Sequence, residues 1–492
     1  MRGEASSQPT ENGGRVSATT PDAATLFVDL DGTLVKTDLL IEELLDSLKK
    51  NPWHLFGSLR SLLKGRQCLK EHVGRLATID VTSLPYHSQF VEFLTQERAS
   101  GRELVLLTAA NGRIANQVAA HLGLFSRVLT SDDHLNLKGR NKLERIKQFQ
   151  GEKPFDYAGN APADLEIWKY ARNAIVVNAA PSVLNRARKL AQVPHVFERD
   201  TTPFKTLLRA LRPHQWVKNL LLFVPLIAAH HLNDIGRLLT TCAGFVIFSL
   251  CASSAYLLND LLDLRADRLN PTKCRRPFAS GDLDIRLGLG VIPLLLLGSF
   301  AASLFLPPAF TATLLVYYIL TLVYSFYAKA IVMLDVVILA SLYTIRVFAG
   351  SIVANAVVSQ WLLAFCMFAF FSLAMIKRVS ELRNLAKTAN PKTEGRGYLV
   401  ADREQLAALG AASGCCSVLV LALYISSDAV AKLYSHPERL WLICPIVFYW
   451  ISRMWLLAHR GMVQEDPTVF ALGDKTSYVV AALIAVTLFL SL

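Results

Sequence analysis

Beyond Asn219 the chain returns repeatedly to apolar runs of about 20 residues, the length needed to cross a bilayer as a helix. Such runs leave little choice of fold, because inside hydrocarbon every backbone N–H and C=O must be satisfied within the segment. Up to about Phe204 the pattern differs, with apolar and charged segments alternating as in a soluble α/β protein. The 492-residue chain therefore reads as a soluble α/β domain fused to an all-α polytopic membrane bundle, and its 52% hydrophobic content exceeds that of an ordinary soluble enzyme. Residues 1–22, rich in Gly, Ser, Thr and Pro without an apolar core, read as a flexible tail rather than a signal peptide. The eight cysteines lack metal-ligand spacing, and several, such as Cys242, Cys366 and Cys444, fall inside apolar runs, so they read as packing residues.

The apolar pattern predicts nine spans, at 219–235, 238–260, 285–305, 308–327, 331–353, 357–379, 405–425, 440–457 and 475–492. Alternate connections are basic. Lys205, Arg209, Arg212 and Lys218 precede the first span; Arg265, Arg268, Lys273, Arg275 and Arg276 follow the second; Lys329 follows the fourth; Lys377, Arg378, Arg383 and Lys387 mark the end of the sixth; Arg460 follows the eighth. The remaining connections hold only Arg237, Lys432 and Arg439. The positive-inside rule then places the N-terminus and the basic loops in the cytoplasm and the C-terminus outside. The formal net charge of +12 is compatible with nucleic acid, anionic lipid or phosphorylated substrates. Its concentration at the mouths of spans assigns it to the membrane and to phosphates, with no nucleic acid expected.

At the mouth of the second span stands Asn-Asp-x-x-Asp-x-x-x-Asp, formed by Asn259, Asp260, Asp263 and Asp267, followed by Pro-x-Lys-x-x-Arg-Pro. On one helix these four residues fall at roughly 0°, 100°, 40° and 80°, so they share a face. Carboxylates that close repel one another, and at a membrane interface they call for a bridging cation; hard oxygen donors suit Mg²⁺. Lys273, Arg275 and Arg276 are placed to hold the phosphate oxygens that the metal leaves uncovered. Charge after a span is commonly only a solvated, topology-setting loop, but this spacing is far more specific than that.

On these residues the stretch from about 205 to 492 resembles the UbiA superfamily of intramembrane transferases, whose helical bundle binds a diphosphate donor through Mg²⁺ at an Asp-rich motif. Within it, "LRPHQWVKN" (211–219), "YSFYAKAIVMLDV" (324–336), "MIKRVSEL" (375–382) and "DPTVFALGDKTS" (466–477) resemble the decaprenyl-phosphate phosphoribosyltransferase branch. The resemblance implies transfer of 5-phosphoribose from phosphoribosyl diphosphate to a polyprenyl phosphate lipid. Asp260 and Asp263, with Asp267, would hold Mg²⁺, and Asn259 would orient a ligand. Lys218, Lys273, Arg275, Arg276, Lys329, Lys377, Arg378 and Glu381 are the candidate substrate-binding residues, joined by Arg212. The surplus of cations suits two substrates that carry a 5-phosphate, a diphosphate and a lipid phosphate between them, although it also serves topology. The alternative is a prenyltransferase with an aromatic acceptor, which wants apolar walls and a base. Arg346 and Asp335, in the fifth span, either line the cavity or pair with neighbouring helices. Tyr324 and Trp216 read as interface-belt aromatics.

In the soluble half, "ATLFVDLDGTLVKTD" (24–38) is an apolar strand ending in Asp29-x-Asp31-Gly32-Thr33, which sets two carboxylates at a strand end beside a glycine turn. Further strands at 102–110, 155–160 and 174–180, each followed by a helix pattern, predict a parallel doubly wound sheet. This domain resembles the haloacid dehalogenase phosphatase superfamily. The resemblance implies Asp29 as nucleophile, Asp31 as acid/base, Thr108 as phosphate ligand and Lys142, or alternatively Lys138, as the charge-neutralising lysine. It also implies a Mg²⁺ site of Asp29, Asp31, Asn160 and Asp164. Asn160 stands where the family commonly has Asp, which weakens metal binding and leaves open a regulatory, non-catalytic domain. Residues 39–95 read as a helical cap gating the site, and the segment 51–67 within it either rests on the anionic leaflet or packs on its own core. The expected boundaries are a tail at 1–22, the phosphatase-like domain at 23–200, a basic amphipathic linker at 201–218 and the transferase at 219–492. Together these features imply a bifunctional enzyme of a bacterial-type inner membrane, in which the phosphatase removes the 5-phosphate of the transfer product to supply an envelope-glycan donor. A homo-oligomer is left open.

Overall fold

The computed structural model describes residues 24–131, 137, 139–198, 202–386, 397–463 and 467–492. The tail 1–22, Lys138, Lys387, Asp466 and the Lys432 side chain lie outside what is described. The chain divides into two compact units, Met1–Lys36 with Tyr86–Arg199, and Thr37–Pro85 with Asp200–Leu492.

The first unit is built on six parallel strands, β1 (Thr25–Val28), β2 (Leu104–Thr108), β3 (Arg127–Thr130), β4 (Phe155–Gly159), β5 (Asn173–Val177) and β6 (Gln192–Phe197), in the order β3-β2-β1-β4-β5-β6. The central strands are continuous apolar runs, as a sheet covered on both faces requires. Phe27 of β1 lies opposite Val105 of β2 and Tyr157 of β4, and all three are fully buried together with Trp168. The strand order reverses between β1 and β4, so a crevice opens at the carboxyl ends of β1, β2 and β4. Asp29 is the first residue past β1, Thr108 the last of β2, and Asn160 the first past β4.

The helical insertion is shorter than the sequence suggested. It ends at Pro85 and not near 95, because the helix Ser88–Ala99 belongs to the first unit, where it buries Phe90 and Leu94 and sets Phe90 edge-on to Phe197 at 5.3 Å. The insertion consists of α1 (Leu39–Lys50), α2 (His54–Leu63) and α3 (Arg66–Leu76), and it is part of the second unit. Asp38 caps α1, accepting the Ile41 N–H. Leu45 and Ile41 of α1 pack with Ala210, Leu257, Leu261, Leu264 and Phe278. The buried Glu42 carboxylate receives both terminal nitrogens of Arg268, at 2.5 and 2.8 Å. Undocking α1 would break that buried pair and expose its apolar face, which opposes movement of this helix in the gating cap that the sequence suggested. Trp53, just before α2, and Leu55, Phe56, Leu59 and Leu63 on it are exposed, so these apolar side chains form no buried core of their own.

The expected linker after residue 200 contains a packed helix, Pro203–Leu211, which buries Thr206 and Ala210. Among the described residues seven helices are long and apolar enough to cross a membrane: Ile235–Leu262, Ile285–Ser303, Pro308–Phe326, Leu334–Val353, Gln360–Leu385, Val400–Ile425 and Pro437–Arg460. An eighth arises if Pro467–Gly473 and Lys475–Ser491, bent by 85° to each other, count as one span. The difference from nine lies at 219–235. There the chain forms a 3-10 helix, Pro213–Phe223, and a five-residue α-helix, Val224–Ala228, ahead of His230 in a left-handed conformation. At a rise of about 2.0 Å per 3-10 residue and 1.5 Å per α residue this segment reaches at most about 30 Å, the thickness of the hydrocarbon core, but it is not one regular helix.

This irregular segment packs against the helix Leu334–Val353 at Gly350, where an added Cβ would meet the Leu222 carbonyl oxygen at 2.2 Å and its carbonyl carbon and Cα at 2.7 Å. Backbone cannot swing aside as a side-chain tip can. Gly350→Ala is therefore expected to destabilise the protein by about 1–3 kcal/mol, measured as a lower unfolding midpoint in detergent; an unchanged midpoint would show that the two segments have room to separate.

Candidate active sites

The acidic motif of the second unit is assembled by a break in a helix. Asn259 and Asp260 occupy the last turn of Ile235–Leu262, and Asp263 ends that helix and precedes a six-residue helix, Leu264–Leu269, that carries Asp267. The single helical face predicted for the four residues is thus two short faces, and cations draw them together. Arg276 Nη1 lies 3.1 Å from Asp260 Oδ1 and 2.7 Å from Asp267 Oδ2. Arg212 Nη2 donates to the same Asp260 oxygen at 2.5 Å. Asp263 Oδ1 receives two ammonium groups, Lys329 Nζ at 2.7 Å and Lys49 Nζ at 3.0 Å. Asn259 Oδ1 accepts the Ser325 hydroxyl at 3.2 Å.

Electrostatics separates the two carboxylates beyond the end of the span. Burial alone would raise Asp263, but Lys329 and Lys49 more than reverse it and hold the carboxyl below its ordinary value. For Asp267 burial prevails over the attraction of Arg276 and the group is raised. Burial lowers Lys273, whose charged neighbours are Glu381, Arg276, Asp267 and Lys377. Those neighbours bring the motif at the end of Gln360–Leu385 beside the first motif. Arg275 is exposed, and Lys218 lies over the Tyr343 ring at 5.6 Å.

Arg378 has a different setting from the one expected. It is buried, and its three nitrogens donate to Asp335 Oδ2 at 2.6 Å, Glu381 Oε2 at 2.6 Å and the Tyr324 hydroxyl at 3.1 Å. Tyr398 donates to the other Asp335 oxygen at 2.5 Å. Arg346 is likewise enclosed, donating to Asn219 Oδ1 at 2.8 Å, to the Tyr317 hydroxyl at 3.2 Å and to the Leu342 carbonyl. Asp335 and Arg346 therefore pair with neighbouring elements. Tyr324 and Trp216 also serve polar contacts, the latter donating to Ser253 Oγ at 2.9 Å, beyond any role as belt aromatics.

Sequence reasoning missed Lys49. It stands in the last turn of α1, where a lysine ordinarily only complements the helix dipole, and 214 residues separate it from Asp263, so no local pattern pairs them. Among the described residues no three His, Cys, Asp or Glu side chains are grouped closely enough to hold a metal by themselves. The hard oxygen donors of Asp260, Asp263 and Asp267 nevertheless suit Mg²⁺ chemically, with diphosphate oxygens and water completing a shell that side chains leave open.

In the first unit, Lys142 Nζ lies 2.6 Å from Asp29 Oδ1 in the crevice, both side chains nearly enclosed. Lys142 also donates to the Tyr157 hydroxyl at 3.0 Å, and that hydroxyl donates to Asp164 Oδ1 at 2.9 Å. Burial raises Asp29, against the attraction of Lys142. Thr108 is buried and its hydroxyl oxygen accepts the Ala110 N–H at 2.9 Å. Gly32, at φ +75°, lets the turn after Asp31 close on Asn160, whose Nδ2 would lie 2.1 Å from an added Cβ. Asp164 faces the loop, its Oδ2 accepting the N–H groups of Asn160 at 3.0 Å and Ala161 at 2.9 Å. It shapes the site, and its remaining capacity for a metal is correspondingly small. The crevice thus joins a carboxylate, a hydroxyl and an ammonium group, a set suited to phosphate chemistry.

Comparison with known proteins matches residues 220–472 to the UbiA prenyltransferase family and residues 26–169 to the haloacid dehalogenase-like hydrolases. The uncharacterized protein y4nM of Sinorhizobium fredii is 37% identical over 462 residues, covering 94% of this chain and 89% of the relative. The decaprenyl-phosphate phosphoribosyltransferase of Mycolicibacterium smegmatis is 35% identical over 188 residues, 37% of this chain and 58% of the relative. A solved UbiA homolog from Archaeoglobus fulgidus, bound to DMAPP and Mg²⁺, superposes with a TM-score of 0.45 at 18% identity, covering 58% of this chain and 98% of that one.

Because the Arg378 fork spans Asp335, Glu381 and Tyr324 at once, a single ammonium group cannot replace it. Arg378→Lys is expected to destabilise the bundle by about 3 kcal/mol or more, read as a lower thermal midpoint in detergent. A variant as stable as the wild type would return Arg378 to the substrate-binding set.

Proposed function

The chain belongs to the UbiA prenyltransferase family and carries a haloacid dehalogenase-like domain at its N-terminus, and from that premise we propose a bifunctional membrane enzyme that transfers 5-phosphoribose from phosphoribosyl diphosphate to a polyprenyl phosphate and then removes the 5-phosphate. The observation that carries the reading is the excess of positive charge on the acidic motif. Arg212, Arg276, Lys329 and Lys49 face three carboxylates, with Lys273 adjoining them. An aromatic acceptor has no use for that many cations, whereas a phosphoribosyl donor and a lipid phosphate bring a 5-phosphate, a diphosphate and a phosphodiester-forming oxygen to one place. The similarity to the mycobacterial phosphoribosyltransferase supports the same reading over the part of that relative that is matched.

In this scheme Asp260, Asp263 and Asp267 would hold Mg²⁺, which when bound neutralises charge on the diphosphate. The bond between ribose C1 and the diphosphate oxygen breaks with its electron pair going to the diphosphate, and a lipid phosphate oxygen forms the new bond to C1. No general base is required, because the acceptor phosphate is already ionised. Arg276 and Arg212 hold Asp260 in place and offer N–H donors to the departing oxygens. At the second site Asp29 attacks phosphorus as the bond to the ribose 5-oxygen breaks, and Asp31 protonates that departing oxygen. Water then attacks the phosphorus held on Asp29, giving its proton to Asp31 and releasing phosphate, while Lys142 offsets the charge gathered at Asp29 and the phosphate. Both sites are assigned to the cytoplasmic side of a bacterial-type inner membrane, because the basic connections cluster at this mouth.

The test incubates the full-length protein with labelled phosphoribosyl diphosphate and polyprenyl phosphate. Mg²⁺-dependent label in the lipid fraction is expected, with Asp260→Ala and Asp263→Ala each reducing it about a hundredfold or more. Consumption of a prenyl diphosphate in its place would sink the phosphoribosyl reading. Asp29→Asn is expected to abolish release of inorganic phosphate from the lipid product while leaving transfer intact; phosphate release at the wild-type rate would make the N-terminal domain non-catalytic. Asn160→Asp, adding a carboxylate beside the turn at Gly32, is expected to lower the Mg²⁺ concentration needed for half-maximal phosphatase activity about tenfold, and an unchanged requirement would remove Asn160 from the metal site.

A further inference from the structure

α1 is fixed in roll as well as in position. Its buried face carries Leu45 and Ile41 into the apolar cluster around Leu257 and Leu261, its Glu42 is held by Arg268, and its capping Asp38 pairs with Arg286. With those anchors set, the last turn of the helix directs Lys49 at Asp263.

Two ammonium groups on one carboxylate oxygen are more than neutralisation requires. Lys329 is already 2.7 Å from Asp263 Oδ1, and Lys49 adds a second positive charge at 3.0 Å. Lys49 retains 30% of its side-chain surface, against 12% for Lys329, so its ammonium group is the more open of the two to an arriving anion. A lone exposed ion pair would contribute little to stability, yet this one ends a helix whose other polar contacts hold it in register with the acidic motif.

We propose that Lys49 is a diphosphate-binding residue of the transferase site, contributed by the insertion in the phosphatase-like half of the sequence. The inference rests on the reading that the acidic motif takes a diphosphate donor. It deepens that reading by completing the mouth with an element from outside the UbiA-matched region, which begins at residue 220. When the diphosphate binds, the Lys49 ammonium moves from sharing Asp263 to donating to a phosphate oxygen, leaving Lys329 on the carboxylate.

The test uses full-length protein in detergent and titrates inorganic diphosphate with Mg²⁺ by calorimetry. Lys49→Ala is expected to weaken binding about tenfold or more, the loss of one charge-assisted hydrogen bond. Lys49→Arg is expected to restore it to within about threefold. Arg286→Ala removes another ion pair of α1 without touching the acidic motif and is expected to bind as the wild type, which separates a binding role from a loosened helix. In turnover of whichever diphosphate donor the protein consumes, Lys49→Ala should raise KM with little change in kcat. Diphosphate affinity unchanged in Lys49→Ala, equal weakening in Arg286→Ala, or no diphosphate binding by the wild type would each overturn the proposal. Diphosphate binding that weakens in Lys49→Ala, in a protein that consumes no phosphoribosyl diphosphate, supports Lys49 and sinks only the phosphoribosyl reading.

Discussion

The neutralisation of three carboxylates by cations drawn from four separate places in the chain is the interaction on which the transferase unit depends. Asp260, Asp263 and Asp267 lie within eight residues of one another, and their mutual repulsion at a membrane mouth would unwind the end of any helix that carried them alone. Arg212 arrives from the segment before the first long helix, Arg276 from the loop just beyond the motif, Lys329 from the turn after Pro308–Phe326, and Lys49 from the insertion. Each pair ties one element to the motif, so compensating the charge and assembling the mouth are the same event. Under the proposed function, the cations that hold the acids are the donors a phosphate would engage.

What could be read from the sequence follows how far apart the partners are. Asp29-x-Asp31-Gly32 and the Asn259 to Asp267 run are local patterns in which the chemistry is carried by spacing, and both occupy the positions expected at a strand end and at a span mouth. The central strands were legible as apolar runs. The edge strands β3 and β6, with half-exposed patterns, carry no such run. The partners of Arg378, expected among the substrate-binding residues, were hidden for the opposite reason. A cation at a mouth looks like a phosphate ligand, and its principal partner, Asp335, lies 43 residues away on another helix. Helical geometry predicted one acidic face, but the chain breaks at Asp263, and it is Arg276, bridging Asp260 to Asp267, that restores the cluster. The 219–235 segment reads as a span by hydropathy alone, but it holds Pro225 and the buried Asn219, which is tied to Ser249 and Arg346, and its course is irregular.

The crevice of the first unit solves a similar electrostatic problem by different means. Asp29 is buried, and burial pushes its carboxyl toward neutrality, which would silence a nucleophile. Lys142 at 2.6 Å opposes that tendency. Asp164, which would add a second negative charge, is occupied by two backbone N–H groups and the Tyr157 hydroxyl. A neutral Asn at 160 in place of a fourth carboxylate beside Asp29, Asp31 and Asp164 fits this economy of charge, and the absence of a Cβ at Gly32 lets the turn close on its side chain. The departure from the family pattern is therefore accommodated by packing.

The insertion shows why fusing the two halves has structural consequences beyond proximity. In sequence it leaves the phosphatase-like domain a few residues after the Asp29-x-Asp31 motif and returns at Tyr86, yet its buried surface, its Glu42–Arg268 pair and its Lys49 all belong to the transferase unit. An insertion used only as a flexible gate would keep its polar groups in water and its apolar face covered by its own helices. Here a buried carboxylate is committed to an arginine more than 200 residues away, and leaving that arginine unpaired is costly. Separating the halves at the conventional domain boundary near residue 200 would therefore strip the transferase mouth of one cation and leave Arg268 without its carboxylate. It follows that the smallest chain preserving the packing and ion pairs of the second unit includes the insertion.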